Sequence, residues 1–173
     1  PNVCAHQLIE AQVERTPDEI ALTIDHILAD NVSSQFVVPE KPWTYQELNQ
    51  RANQIAHFLE SQGAGRRIAL AFNRSAELVI AILAVLKLGG TYIPLDPTHP
   101  PERLRYMLQD ANVALILTSD GAFSEENLPE DTELIDFNQH EKVIDQQPTE
   151  NLSAEIPPDD LAYIIYTSGS TGK

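Results

Sequence analysis

The residues best suited to bind an anion lie together near the carboxyl end of the chain. Thr167-Ser-Gly-Ser-Thr-Gly-Lys173 contains only glycines, small hydroxyl residues and one lysine. Glycine allows a backbone to approach a ligand closely, the hydroxyl groups are hydrogen-bond donors, and consecutive free N–H groups form a concave site for anionic oxygens. The apolar run at residues 161–166, directly before this glycine loop, predicts a buried strand. A strand that ends in such a loop is a candidate phosphate site.

The spacing within the glycine loop excludes two familiar motifs. A Walker loop has four residues between its first glycine and Gly-Lys-Ser/Thr, whereas two residues separate Gly169 from Gly172. The loop also lacks the Gly-x-Ser-x-Gly pattern of a nucleophile elbow. Neither Ser168 nor Ser170 has a neighbouring base in the sequence, so a nucleophilic role is unsupported. Two interpretations stay open from these residues: a phosphate site and an ordinary Ser/Gly turn.

The elements that would position this loop alternate between strands and helices. Apolar runs predict strands at 20–24, 68–72, 91–95, 113–118 and 133–137. Helical periodicity predicts helices at 6–15, 76–88 and 101–111, and a long helix that begins at 45 and is stopped by Gly63 and Gly65. Residues 25–42 are interpreted as a hairpin or surface loop, and the polar stretch 138–150 has room for a turn of helix. The alternation predicts an α/β fold with a mostly parallel, helix-covered sheet. Ligands of such sheets bind outside the carboxyl ends of the strands, which favours the phosphate interpretation.

Local signals fix the ends and faces of the predicted helices. Thr44 and Glu47 form a capping box, Ser75 caps the next helix, and Pro101 suits a first helical turn. The helix at 76–88 is apolar almost all round and should be buried. On the long helix, one stripe is apolar (Tyr45, Leu48, Ala52, Ile55, Leu59), and the opposite face is expected to meet solvent (Gln46, Gln50, Asn53, Gln54, Glu60).

Polar residues elsewhere give weaker functional signals. Asp96 is interpreted as a turn-stabilising carboxylate, His57 as a half-buried, hydrogen-bonded side chain and His99 as a helix cap. Arg74, just after a strand, is interpreted either as a contact for an anion or as a partner in a surface ion pair. The five histidines are scattered and show no metal-ligand spacing, so no metal site is predicted.

Composition restricts the class of protein. The chain has 173 residues, enough to bury a core, and its net charge of −15 disfavours binding to nucleic acid or to an anionic membrane. Its one cysteine, Cys4, precludes an internal disulfide and suits a reducing compartment. Residues 1–16 lack the pattern of a signal peptide, and the apolar stretch 78–88 is too short to span a bilayer. These features predict a cytoplasmic protein.

Four blocks of sequence resemble the adenylate-forming enzymes, and more closely the amino-acid-activating adenylation domains of non-ribosomal peptide synthetases. They lie at 6–21, 43–56, 86–111 and 166–172. The blocks follow in the family's order over nearly the whole chain, which is more specific than any one of them. Asn49 and the sequences Arg51-Ala-Asn53 and Leu95-Asp-Pro97 are similar to the peptide-synthetase branch rather than to ligases of fatty or aryl acids.

The resemblance implies a two-step reaction. An amino acid reacts with Mg·ATP to give an aminoacyl-adenylate and pyrophosphate, and the acyl group then passes to the phosphopantetheine thiol of a peptidyl carrier domain. By motif position, the ATP phosphates would be bound by Thr167, Ser168, Gly169, Ser170, Thr171 and Gly172. Lys173 closes the loop in this sequence, but the family's loop lysine follows a proline beyond it, so Lys173 corresponds to the variable residue before that proline.

The resemblance also implies that much of the enzyme lies outside these residues. The family's amino-acid pocket, magnesium-binding acid and catalytic lysine all follow the glycine loop. We therefore expect residues 1–173 to be the N-terminal part of one adenylation domain, cut within the phosphate-binding loop, with no second domain and no catalytic residue of its own. Alone it should be inactive. Two alternatives stay open: an acyl- or aryl-CoA ligase of the same superfamily, and a non-catalytic interaction fragment.

Overall fold

A computed structural model describes residues 3–29, 35–39, 41–119, 121, 123, 128–129 and 132–167, with backbone alone for 25–29 and 35–39. Its helices are α1 (Ala5–Arg15), α2 (Tyr45–Ser61), α3 (Ala76–Lys87), α4 (Pro101–Asp110) and α5 (Phe137–Ile144). Its strands are β1 (Ile20–Leu22), β2 (Asp25–Ala29), β3 (Gln35–Pro39), β4 (Trp43–Thr44), β5 (Arg67–Ala71), β6 (Thr91–Pro94), β7 (Leu115–Thr118) and β8 (Glu133–Asp136).

The central sheet is parallel, as the alternation of elements predicts. Its order is β6-β5-β7-β8, and all three neighbouring pairs are parallel. From β5 the chain passes through α3 to β6 on one side, and then through α4 to β7 on the other side of β5. Because the two connections run in opposite directions, α3 and α4 cover opposite faces of the sheet. The α/β fold with a helix-covered parallel sheet is confirmed. The predicted hairpin at 25–42 is also confirmed, since β2 and β3 pair antiparallel.

Alternate residues of each sheet strand enter two apolar clusters. On β5, Ile68 and Leu70 pack with α2, α3 and α5, whereas Ala69 and Ala71 pack with α4. All four side chains are at most 1% exposed. A strand without polar alternation is therefore covered on both faces, as expected for a parallel sheet.

Local capping signals identify most helix starts correctly. The Glu47 N–H donates to the Thr44 hydroxyl (3.2 Å) while the Glu47 carboxylate accepts from the Thr44 N–H (3.0 Å), which completes the capping box. Ser75 caps α3 through the Leu78 N–H at 3.4 Å, and Pro101 begins α4. The polar stretch after β8 contains α5, an eight-residue helix rather than a single turn.

The segment 161–166 is not the buried strand that its sequence predicts. Only Tyr163 forms a bridge, to Tyr92 on β6, and the side chains of Leu161, Tyr163 and Ile165 are more than half exposed. Ile164 and Tyr166 pack against the cluster under α4. The prediction is wrong because this segment lies at the edge of the sheet. One of its faces packs on the core, and no described residue covers the other face.

The solvent face predicted for α2 is also wrong at one position. Asn53 is fully buried. Its side-chain amide finds hydrogen-bond partners inside the protein, because it donates to the Thr149 carbonyl (2.7 Å) and to Asn151 Oδ1 (3.0 Å). Asn49, one turn earlier, donates to the same Asn151 oxygen at 2.9 Å. We call residues 145–156 the connector. They follow α5 and form turns and irregular backbone rather than a strand or helix. These hydrogen bonds nevertheless fix the connector against α2.

A buried cation completes this polar network. The Lys87 side chain is 1% exposed, forms an ion pair with Glu10 on α1, and donates to Asn151 Oδ1 at 3.2 Å. Burial lowers the pKa of Lys87, and the hydrogen bond to Glu10 acts in the opposite direction. The Lys87 ammonium therefore joins α1, α3 and the connector.

Buried His6 should make stability depend on pH. Burial lowers the pKa of His6 below its usual 6.5, with Lys87 acting in the same direction and Glu10 against it. Between the lowered pKa and 6.5 the unfolded chain binds more protons, so stability is lost as pH falls through this window. We expect the urea midpoint to drop between pH about 7.5 and about 5.5, and to drop less in His6→Gln. An equal drop in both proteins would contradict the assignment to His6.

Candidate phosphate-binding site

The start of the glycine loop lies at the carboxyl edge of the sheet. The Tyr92 N–H donates to the Ala162 carbonyl (3.0 Å), and the Ile164 N–H donates to the Tyr92 carbonyl (3.1 Å). This parallel pairing directs residues 161–166 along β6, so Thr167 follows their carboxyl end and is exposed. Ser168, Gly169, Ser170, Thr171, Gly172 and Lys173 lie outside the described residues.

The segment before the loop has three further attachments. The Thr91 hydroxyl donates to the Leu161 carbonyl at 2.7 Å. The Tyr163 ring lies 5.7 Å from the Tyr92 ring, centroid to centroid. The Tyr166 hydroxyl lies 2.7 Å from Asp110 Oδ2 at the end of α4. The described part of the site is therefore a positioned, exposed threonine at the sheet edge where phosphate ligands of parallel folds bind.

Other polar residues singled out from the sequence have mostly structural roles. Asp96 Oδ1 accepts from the Thr98 N–H (2.9 Å) and hydroxyl (2.7 Å), and these bonds lower its pKa. The prediction of a turn-stabilising carboxylate is confirmed. His57 is half-buried with Nε2 3.1 Å from the Glu150 carbonyl, also as predicted.

One prediction for this region is wrong. His99 does not cap α4, whose N-cap is Pro100 and which has no side-chain cap, because the proline turn already sets the start of the helix. Arg74 is exposed after β5, and no carboxylate of the described residues lies within 4.0 Å of its guanidinium. Its role as an ion-pair partner or as a contact for an anion stays a prediction.

Sequence reasoning missed the residues that fix the connector and the end of residues 161–166. These are Asn49, Asn53, Lys87, Asn151, Asp110 and Tyr166. One signal does exist in the sequence: Lys87 is a lone cation inside the apolar run of α3, and Lys is almost never fully buried unless paired. The identity of its partners on α1 and the connector has no local signal.

The part of the chain that the structure describes contains neither a candidate metal site nor a candidate membrane-spanning helix. No group of three or more His, Cys, Asp or Glu side chains there could hold a metal ion. Over the same ranges, no helix is long and apolar enough to cross a membrane.

Comparison with known proteins decides the family. The sequence profile of the AMP-binding enzymes matches residues 9–173, which include the whole parallel sheet and the glycine loop. The chain belongs to the AMP-binding enzyme family. Its curated relatives include tyrocidine synthase 3 of Brevibacillus parabrevis and bacitracin synthase 1 of Bacillus licheniformis. They are 42% and 39% identical, each over 97% of this chain, which spans 2% and 3% of their lengths.

Several solved structures have the same fold as this chain. The non-ribosomal peptide synthetase FmoA3 matches 97% of this chain with a TM-score of 0.77 and 28% identity, and the match covers 16% of the FmoA3 chain. An FmoA3 crystal form with AMPPNP bound gives the same TM-score. O-succinylbenzoate coenzyme A synthetase of Bacillus subtilis matches with a TM-score of 0.76 over 41% of its chain. At 23% identity, the latter likeness concerns the fold alone.

Proposed function

We propose that this chain is the N-terminal part of an amino-acid-activating adenylation domain in a non-ribosomal peptide synthetase. The observation that carries the proposal is the glycine-, serine- and threonine-rich loop at the carboxyl end of a parallel segment. The loop occurs in a chain about 40% identical to tyrocidine and bacitracin synthases. The chain spans only 2% and 3% of the lengths of those relatives, which supports the proposal that residues 1–173 are part of a larger protein.

In the first half-reaction, a carboxylate oxygen of the amino acid attacks the α-phosphorus of ATP, and pyrophosphate leaves. The residues proposed to hold the β- and γ-phosphates are Thr167, Ser168, Gly169, Ser170, Thr171 and Gly172, with Lys173 beside them. Their N–H and hydroxyl groups would donate hydrogen bonds to phosphate oxygens as negative charge moves onto the leaving pyrophosphate. Mg²⁺ would accompany the nucleotide, with its acidic ligand outside residues 1–173.

In the second half-reaction, a phosphopantetheine thiol attacks the acyl carbon of the adenylate, and AMP leaves. The proposed partners are therefore an amino acid, a peptidyl carrier domain and the remainder of the adenylation domain. The working compartment is proposed to be the cytoplasm, where thiols stay reduced.

The experiment is pyrophosphate–ATP exchange by the complete parent polypeptide, with amino acids and with control fatty and aryl acids. Exchange that depends on particular amino acids would support the proposal and name the substrate. Exchange with only the control acids would favour an acyl- or aryl-CoA ligase. No exchange by a folded protein would leave an interaction module in which the glycine loop is a turn.

A single substitution tests the glycine loop within the same assay. Thr167→Val keeps the shape of the side chain and removes its hydroxyl, so we expect KM for ATP to rise about tenfold, as for loss of one hydrogen bond to a charged group. Ser153→Ala, on the exposed connector, should leave KM unchanged. An unchanged KM for ATP in Thr167→Val would remove Thr167 from the proposed phosphate site.

A further inference from the structure

Tyr166, the residue immediately before the glycine loop, is tied to the end of α4. Its hydroxyl lies 2.7 Å from Asp110 Oδ2 and 3.3 Å from the Met107 carbonyl, and its ring packs in the cluster under α4. One hydroxyl proton can serve only one acceptor fully. The shorter distance and the charge of the carboxylate make Asp110 the principal acceptor.

No other hydrogen bond within the described residues holds the chain at 165–167. The backbone pairing with β6 ends at the Ile164 N–H, which donates to the Tyr92 carbonyl. The two residues after Ile164 extend beyond that pairing toward Thr167. The tyrosine hydroxyl is therefore the last described attachment before the glycine loop.

The helix that carries Asp110 is itself firmly placed. Leu104, Met107 and Leu108 are at most 4% exposed beneath the sheet. Beside Asp110, at the carboxyl end of the helix, the Arg67 guanidinium donates to the Ala111 carbonyl at 2.8 Å, which links α4 to the first residue of β5. Asp110 thus presents its carboxylate from a rigid element.

Helix stability does not explain an aspartate at position 110. Asp110 is the last residue of α4, where the helix dipole disfavours a negative charge. Burial and the Asp110 carboxylate raise the pKa of Tyr166 well above its usual range, so the phenol stays protonated and can donate. The negative charge of Asp110 is therefore unfavourable for the helix dipole, whereas its carboxylate is well placed to accept the hydrogen bond from the Tyr166 hydroxyl.

We infer that Tyr166 and Asp110 form a positioning pair that fixes the start of the glycine loop for the phosphates of a nucleotide. This inference rests on the proposed function. A loop anchored at the residue that precedes it has less conformational freedom to lose when it binds phosphate. The pair touches neither substrate nor reacting atoms, and acts through the position of Thr167 and the residues that follow.

The test compares variants of the complete parent polypeptide in pyrophosphate–ATP exchange. Tyr166→Phe removes only the hydroxyl, and we expect KM for ATP to rise about fivefold to twentyfold while KM for the amino acid changes less than about twofold. Asp110→Ala should match it, Asp110→Asn should be closer to wild type because its amide oxygen still accepts, and the double variant should be no worse than either single one. Tyr163→Phe, on the same segment, is the matched control.

A second readout, amide hydrogen exchange at residues 165–169, does not depend on activity. We expect faster exchange in Tyr166→Phe and Asp110→Ala and no change in Tyr163→Phe. Unchanged amide exchange, an unchanged KM for ATP, or additive effects in the double variant would each overturn the inference. If the wild type lacks pyrophosphate exchange, the proposed function fails and nucleotide positioning fails with it, whereas amide exchange still decides whether the pair holds the loop.

Discussion

Lys87→Met is expected to lower the free energy of unfolding by about 2–3 kcal/mol. Lys87 is 1% exposed and paired with Glu10, and removing one partner of a buried pair typically costs about 3–5 kcal/mol because a buried charge is left unpaired. The expected loss is smaller in this protein because the Glu10 side chain is 21% exposed and regains some hydration. Methionine has a similar length, so the change removes charge rather than volume. In a chain of this size, the loss corresponds to about 5–10 °C in Tm.

Urea unfolding of a matched surface variant supplies the control. Lys41 also pairs with a glutamate, but its side chain is 81% exposed, so Lys41→Met should change stability by less than about 1 kcal/mol. The double variant Glu10→Gln/Lys87→Met should recover part of the loss, because it removes both charges. If Lys87→Met is as stable as wild type, hydrophobic replacement fully compensates the lost pair, and the network is not a source of stability.

The sequence predicts elements well where their signals are local. The α2 capping box, the Ser75 cap and Pro101 each involve residues within one turn of a helix start, and all three are found there. The apolar run of β5 indicates correctly a strand covered on both faces. These signals need no knowledge of distant parts of the chain.

The sequence fails where the partner is distant. Asn53 lies on the polar face of α2, yet its hydrogen-bond partners Thr149 and Asn151 are 96 and 98 residues away in the sequence. Periodicity assigns a polar residue to solvent and has no means of finding a buried carbonyl contributed by an irregular connector. The apolar run 161–166 fails for a related reason, since its composition reports a tendency to be covered rather than what covers it.

The candidate site shows the same division. That the glycine loop begins at a carboxyl edge follows from the order of strands and helices, and the position of Thr167 agrees. The contact between Tyr166 and Asp110 spans 56 residues and depends on how α4 crosses the sheet. Residue types at the loop therefore suggest the chemistry, whereas the anchoring of the loop requires the fold.

Gly90→Ala is expected to destabilise the protein by about 2–3 kcal/mol through steric overlap at the start of β6. A Cβ atom on Gly90 would lie 2.9 Å from Val85 Cγ1, 3.1 Å from the Val85 carbonyl oxygen and 3.3 Å from the Arg66 carbonyl oxygen. Neither oxygen can move freely. The Val85 carbonyl accepts the Gly90 N–H, and the Arg66 carbonyl accepts the Thr91 N–H.

Gly63→Ala separates this overlap from backbone strain. Gly63 has φ +67° with nothing within 4 Å of an added Cβ, so its substitution should cost only about 1 kcal/mol from the left-handed backbone. Urea unfolding should rank Gly90→Ala below Gly63→Ala, and the reverse order would show that α3 and β6 can separate at little cost. Separation would also displace Thr91, whose hydroxyl holds the Leu161 carbonyl. We therefore expect Gly90→Ala, but not Gly63→Ala, to weaken nucleotide binding in the complete polypeptide, because the edge segment that carries the glycine loop is aligned on β6.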